Sequence, residues 1–525
     1  MKGVEVSGIR RRVDVWNISL GSEKAARTQP WHPVLDAYAR GVAELMGRGG
    51  GPNRDTKPDK PLTVDSWLWA ANTHGVLDGT TPMKPLWNQC AHHDRYFLVW
   101  HRAYLVWFES MVQSVIDDAD WALPYWDYSD PGRPETLELP WEFRVEQRTV
   151  GGAKVANRLF VDVTERQGHP DAEAVDIVPA MSERFFFRDA PNKGFGGVDG
   201  PLRLGGYVEM QPHDKVHDAI GGDPPPPKEP GLMGIVEISS RDPIFWLHHA
   251  NIDRLWEVWR NVAGSVDLFD QAGISAQLKA EWRNARFVFG DTGALAVYSV
   301  DDVKHTTGAA MNYEYESIAL PAEIMATVMS KRQEAQLASP VNKWRQSREV
   351  VRTLVDDEMT PPPQQWDPVA GTGQTTRVGE NGAESSLVFD SRQMSLSGPS
   401  FAGPNLVGPE LVEPTSSAPG GLIIALMGVR APERCHTRYV VEVAAGPDQP
   451  SHPVDTFSTF GLNGSPAEEE RNYTIDATPL IPQLIEDGWD GSGLVVRVRP
   501  RTPAADQAAA PPGLVIGQIT IYRLR

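Results

Sequence analysis

Eight of the 13 histidines in this chain fall in a few short stretches: His74; His92, His93 and His101; His213 and His217; His248 and His249. Neutral imidazole is a good ligand for transition metals, and a histidine cluster is unusual for a residue that mostly stands alone at a surface or in a satisfied polar pair. His213 and His217 are four residues apart, so on a helix they share one face and can grip a single ion. His248 and His249 sit inside Asp-Pro-Ile-Phe-Trp-Leu-His-His-Ala-Asn-Ile-Asp-Arg-Leu-Trp (242–256), an otherwise apolar helical stretch. Burying unpaired imidazoles in such a stripe is expensive, so ligation is a more economical reading than packing. Asp253, one turn beyond His249, places a carboxylate where it could orient a buried group.

Long helices must carry these residues. From Asp94 to Asp117 the residues Phe97, His101, Tyr104, Leu105, Phe108, Met111, Val112 and Val115 recur at spacings of three and four, predicting a helix. A second begins with Asp242 as N-cap and Pro243 in the first turn and runs to Trp259. A shorter one, Val64 to His74, stops at Gly75. On a continuous helix His93, rather than His92, would share a face with His101. The stretch Asp357 to Ser385, with Pro361, Pro362 and Pro363 followed by several glycines, reads as a linker. Beyond it come short β-like runs, Leu422 to Val429, Arg438 to Val443, Leu494 to Val498 and Leu514 to Tyr522, with one short helix at Pro479 to Glu486. The expected organisation is a helical domain over 1–355, a linker over 356–385 and a β-sandwich over 386–525. There is no internal repeat, and the low-complexity features are Pro224 to Pro227 and an Ala-rich loop near Ala508.

The segment 242–256 resembles the second-copper signature of the tyrosinase, catechol oxidase and haemocyanin family of type-3 dicopper proteins, and Cys90 to Glu109 resembles its first-copper counterpart. The likeness covers residues 60 to 320, including Leu123-Pro124-Tyr125-Trp126-Asp127 and the stretch Gly206 to His213. Trp282 to Asp291 and Tyr313-Glu314-Tyr315 resemble the closing segment of plant polyphenol oxidase catalytic domains, and the β domain resembles their C-terminal shielding domain more loosely. The resemblance implies a mainly α catalytic domain, whose central helical bundle holds two copper ions, followed by a C-terminal β-sandwich. It implies His74, His92 and His101 for the first copper and His213, His217 and His249 for the second. His92 then lies in the loop before the helix, and His249 is preferred to His248 because it precedes an aspartate by four residues.

The implied reaction is oxidation of o-diphenols to o-quinones with dioxygen as co-substrate; ortho-hydroxylation of monophenols and oxidation of o-aminophenols stay open. In fungal and molluscan relatives a cysteine placed like Cys90 forms a thioether with the imidazole corresponding to His92. Val236, thirteen before His249, occupies a position where some plant catechol oxidases carry a bulky phenylalanine, and a valine leaves that entrance open. Glu209, four before His213, matches a family glutamate that holds a water near the second copper. Asp214 stands where many monophenol-active relatives have asparagine. It could replace the asparagine's water contact, act as base, or bind a substrate amine. The C-terminal domain is expected to cover the pocket and keep the enzyme latent. An oxygen carrier like haemocyanin is the main alternative. A zinc hydrolase fits less well, because two three-histidine groups without a ligand carboxylate favour copper.

Composition limits the other function classes. A length of 525 residues calls for more than one domain, and 41% hydrophobic with 23% charged residues is ordinary for globular proteins. A formal charge of -19 argues against a nucleic-acid partner. No run approaches the length of a membrane-spanning helix. The segment after Arg10, Arg11 and Arg12 is not a continuous apolar core, so no signal peptide is expected and the expected location is cytoplasmic, with export alongside a partner left open. Cys90 and Cys435 alone cannot form a disulfide framework, although one bridge between them remains possible. Small phenols are the expected binding partners; a copper-delivery partner and the oligomeric state are left open.

Overall fold

The structure is a computed structural model that describes residues 8–22, 25, 29–54, 56, 61–77, 84–199, 204–222, 229–291, 294–338, 366–379, 382–388, 421–431, 438–462, 470–491, 493–501 and 513–524. Five helices position the histidines: α1 (Pro33–Arg48), α2 (Trp67–His74), α3 (Phe97–Ile116), α4 (Lys215–Gly221) and α5 (Pro243–Asn261). α3 and α5 are buried on almost every face, which marks them as the centre of the bundle rather than its surface. They pack on one another through Phe108 and Trp246, whose rings stack at 3.5 Å. Arg102 of α3 bonds to Asp253 at 2.5 Å and to Glu257 at 2.7 Å on α5, so the charges these apolar helices carry are paired.

Local chemistry sets the helix ends. Asp242 caps α5 by accepting from the Ile244 N–H, with Pro243 in the first turn, and the Arg166 guanidinium grips the same carboxylate. The helix expected from Asp94 begins at Phe97 instead, because the Asp94 side chain accepts from the Tyr96 N–H and spends the preceding residues in a turn. α3 ends at Asp117, which is left-handed at φ 56°. The N-terminal strand Arg10–Arg12 pairs in parallel with Tyr313–Tyr315, and both Arg10 and Arg12 reach Glu109 of α3, at 2.9 and 3.0 Å. No helix among the described residues is long and apolar enough to cross a membrane.

The C-terminal part is a two-layer antiparallel sandwich. Its strands are β1 (Trp366–Gly371), β2 (Thr376–Val378), β3 (Ala383–Val388), β4 (Leu422–Arg430), β5 (Tyr439–Ala444), β6 (Ser451–Phe457), β7 (Arg471–Asp476), β8 (Gly493–Pro500) and β9 (Leu514–Leu524). One sheet runs β2-β9-β4-β7, with β1 also on β9; the other runs β3-β8-β5-β6. Leu422, Ile424 and Leu426 alternate inward from the first sheet against Val441 and Val443 and against Leu494, Val496 and Val498 from the second. The short helix at Ile481–Glu486 is present.

The expected linker needs correction. β1, β2 and half of β3 fall inside 356–385, and the sandwich therefore starts by Trp366. Pro and Gly concealed them, because these strands lie at sheet edges and are held by ladder hydrogen bonds to β9 and β8 rather than by a periodic apolar face of their own. β6 and β7 also lay outside the expected runs. The boundary at residue 355, Pro224 to Pro227, the Ala508 loop and Cys435 lie outside the described residues.

Candidate dinuclear metal centre

The first histidine group is assembled by a zipper of backbone bonds. The N–H groups of Asn88, Gln89 and Cys90 donate to the carbonyls of Asn72, Thr73 and His74 at 2.9, 3.0 and 3.2 Å, laying the Cys90–His92 loop along the end of α2. Gly75 lets the Val236–Ser239 segment close in from the other side, since a Cβ there would sit 2.5 Å from the Glu237 Cα. His101 comes from α3, with its Nδ1 2.8 Å from the Phe97 carbonyl one turn earlier. That bond makes Nδ1 the protonated nitrogen and leaves the Nε2 lone pair for a metal. Cys90 Sγ lies 3.2 Å from His92 Nδ1 and 3.7 Å from its Nε2, facing the ring edge between the two nitrogens, and 3.3 Å from His101 Nε2. Cys90 is a free thiol.

The second group spans a break in the backbone. His213 lies in a π-helical turn, Glu209–Asp214, that contains an extended Gln211, and His217 lies in α4, so the pair does not share one regular helix. Their rings still meet at 4.6 Å. His217 Nδ1 is held by the Met233 carbonyl at 2.8 Å, and its Nε2 is 3.1 Å from His249 Nε2. Two nitrogens on one ion at bond lengths of about 2.0 Å and this separation would subtend roughly 100°, close to a tetrahedral angle. The two groups share one pocket: the rings of His101 and His249 stack at 4.5 Å, and those of His92 and His213 lie 5.4 Å apart.

The donor set fits metal ions. His74, Cys90, His92 and His101 offer ligand atoms all within 4.8 Å of one another, and so do His213, His217, His248 and His249. Both nitrogens of His74 and Nε2 of His213 are buried without a hydrogen-bond partner, and bound ions would satisfy His213 Nε2 and one of the His74 pair. Burial, reinforced by neighbouring imidazoles, pushes His92, His101, His217, His248 and His249 well below the usual histidine value and His74 down to about 3, so the rings stay neutral and ready to ligate. Burial likewise pushes the Cys90 thiol up. With nitrogen donors and no carboxylate in either group, the arrangement suits a dinuclear copper centre.

Glu209 and Asp214 do not behave alike. Asp214 spends one oxygen on His213 Nδ1 at 2.8 Å and the other on His93 Nε2 at 3.1 Å, which drives its carboxyl well below the usual range despite burial. Both oxygens are thus engaged in orienting imidazoles, and of the roles open to Asp214, base and amine binder lose ground. Glu209 accepts from the His93 N–H through Oε1, its Oε2 is buried without a partner, and burial followed by the charge of Asp214 raises its carboxyl well above the usual range. His93, left-handed at φ 48°, is the clamp between them. Asp253, placed where a carboxylate could orient a buried group, accepts from Arg102 and from the Tyr313 and Tyr315 hydroxyls, so it fixes α5 and not a histidine ring. Val236, half-buried, opens the short helix beside His74.

A ring from the sandwich closes the pocket. Phe460, fully buried, stacks face to face on His217 at 4.2 Å and 16° and meets His92 and His213 edge-on at 5.7 and 5.8 Å. Its loop is fixed by Arg471, which donates to the Phe460 carbonyl at 2.9 Å and packs against Gly461, at φ 77°, where a side chain would collide with the guanidinium. Around the plug the two parts meet through polar contacts: Arg438 with Asp171 at 2.9 Å, Arg501 with Glu173 at 2.5 Å, Lys215 with Asp455 at 3.5 Å, and Lys193 Nζ donating to the Thr474 carbonyl at 2.8 Å. Sequence reasoning missed Phe460, Arg471 and the role of His93. The first two sit in a turn whose position depends on domain docking, and nothing local marks it.

A family model, the common central domain of tyrosinase, matches residues 64–183 and 180–262. A tyrosinase from Hahella sp. is 33% identical over 310 residues, covering 52% of this chain and 59% of that protein. The chloroplastic (+)-larreatricin hydroxylase of Larrea tridentata is 28% identical over 247 residues, covering 44% of this chain and 39% of that protein. The matches thus span less than two thirds of these relatives' own length. The structure of latent apple tyrosinase superposes with a TM-score of 0.51 at 18% identity, covering 100% of this chain and 99% of that one, so the likeness of fold extends through the sandwich.

Proposed function

We propose that the chain, whose residues 64–183 and 180–262 match the common central domain of tyrosinase, is a dicopper oxidase of catechols held closed by its own C-terminal sandwich. The observation that carries this reading is the convergence of two imidazole trios, His74, His92, His101 and His213, His217, His249, on one buried pocket in which several ring nitrogens lack any protein partner. Copper held by these six histidines would supply the redox chemistry that oxidation of a catechol to its quinone by dioxygen requires.

The protein's own residues do the rest. Phe97 and Met233 carbonyls and the Asp214 carboxylate fix which nitrogen of His101, His217 and His213 carries the proton, so the other points inward. Glu209 Oε2 is the unengaged oxygen that can hold a proton lifted from a phenol. The substrate ring takes the place of Phe460, lying on the face of His217, and Val236 leaves the approach to His74 open. Cys90, aimed at the His92 ring edge between the nitrogens, is placed to form the thioether that pins this loop ligand. Catechols are favoured over monophenols because Asp214 is committed to two imidazoles.

A second reading has one observation in its favour. A pocket plugged against aromatic rings by Phe460 suits an oxygen carrier, which has no organic substrate to admit. The deciding experiment loads the full chain and its Phe460→Ala variant with copper and follows quinone absorbance with catechol, L-tyrosine, tyramine and o-aminophenol. We expect two coppers per chain and sustained catechol turnover in the opened variant. Two coppers with reversible oxygen uptake and no turnover in either protein would sink the oxidase reading.

A further inference from the structure

α5 carries two adjacent histidines, and the proposed ligand set uses only the second. His248 is nevertheless fully buried in the same pocket, its ring 4.8 Å from that of His217 and 5.4 Å from that of His213. It offers a nitrogen within 4.8 Å of ligand atoms of His213, His217 and His249. The second site therefore holds one imidazole more than a three-histidine centre needs.

Its hydrogen bonding says which job that imidazole can do. His248 Nδ1 lies 3.0 Å from the hydroxyl of Tyr128, itself buried. A buried phenol must donate its proton somewhere; the Asn251 side chain also bonds to this hydroxyl, but its carbonyl oxygen is engaged by Arg254 at 3.1 Å, which leaves His248 Nδ1 as the acceptor for the phenol proton. An Nδ1 that accepts leaves the ring proton of the neutral imidazole on Nε2. That nitrogen is then an N–H donor with no lone pair to give a metal, and it is buried without an acceptor in the protein. Orphaned buried donors are rare, and one on a ring packed against the histidines of a ligand pocket is explained by an acceptor that arrives with the ligand.

We propose that His248 Nε2–H is a preset hydrogen-bond donor for the anionic oxygen of the exogenous ligand at the second copper, a phenolate during turnover, with Tyr128 as the positioning residue that sets its tautomer. The proposal rests on the dicopper reading. It adds a contact that distinguishes an anionic oxygen from a neutral molecule at the open position, and it explains why two histidines are consecutive where one ligand suffices.

The test uses the full chain with both coppers oxidised, titrated with fluoride, an acceptor anion small enough not to need the space of Phe460. Binding is read from the copper(II) absorption. His248→Phe removes the donor, His248→Gln keeps an N–H, and Tyr128→Phe releases the tautomer. We expect His248→Phe to retain two coppers and weaken fluoride about tenfold or more, His248→Gln to stay within about threefold of the parent, and Tyr128→Phe to fall between. Equal fluoride affinity in the parent and His248→Phe would overturn the proposal, as would absence of fluoride binding by a two-copper parent. Loss of the second copper in His248→Phe would overturn it differently, making His248 a ligand. A parent that fails to take up two coppers would instead refute the dicopper reading on which it stands.

Discussion

Replacing Phe460 by alanine should convert the closed protein into an active one. The ring is fully buried and stacked on His217, so it must leave before an aromatic substrate can lie there. Its burial is worth about 1.5–3 kcal/mol and the stacked contact a further 0.5–1.5 kcal/mol or so. Together the seat holds about 2–4.5 kcal/mol against opening. With about 1.4 kcal/mol per factor of ten, removing that barrier should raise kcat/KM between roughly 30-fold and 1600-fold. The assay is oxygen uptake with 4-tert-butylcatechol, whose bulk makes access limiting, on proteins matched for copper content. The backbone bond from Arg471 to residue 460 survives the substitution, so the loop should keep its path. Should the variant stay within about threefold of the parent at equal copper content and equal melting temperature, Phe460 is not the gate and the latency argument fails.

Three further outcomes follow from the geometry. Asp214→Leu removes the acceptor that fixes the His213 tautomer and should weaken the second copper about 10–100-fold in chelator competition, whereas Asp214→Asn, which keeps an acceptor oxygen, should stay near the parent; equal loss in both would contradict the orienting role. Cys90→Ser should abolish a loss of two hydrogen atoms, one from the thiol and one from a ring carbon of His92, that loading with copper under dioxygen as the two-electron oxidant produces in the intact mass of the parent; an unchanged parent mass would remove the thioether from the scheme. Lys193 is buried at the sandwich interface, and burial lowers its ammonium from 10.5 to about 8. Between those values the unfolded chain holds the proton that the folded one has lost, so stability rises with pH across that window, by roughly 3 kcal/mol at most. Lys193→Met should be the more stable protein at pH 7 and should lack that rise in urea unfolding; matching pH profiles for the two proteins would contradict it.

How much was legible in the sequence depended on whether the signal was local. α5 announced itself through Asp242, Pro243 and its apolar run, because a cap and a hydrophobic period are properties of one short stretch. The place of His92 in a loop could not be had from helical spacing, which favours His93; it follows from the turn at Asp94 and the bonds that zip Asn88–Cys90 to α2. Edge strands β1 to β3 hid among prolines and glycines, since their stability is borrowed from β8 and β9. The contact of Asp214 with His93 and the arrival of Phe460 at His217 join residues more than a hundred positions apart, and no pattern within either segment records them.

The stacked plug also changes what an inhibitor measurement on the intact chain means. Phe460 is tethered, so it competes with any free aromatic at an effective local concentration set by its loop, and a compound's apparent affinity is its true affinity scaled by the small fraction of molecules in which the seat is vacant. Ranking compounds on the closed protein would therefore reward those that pry the two halves apart as much as those that suit the copper pocket, and the order of potencies should change once the tethered competitor is gone.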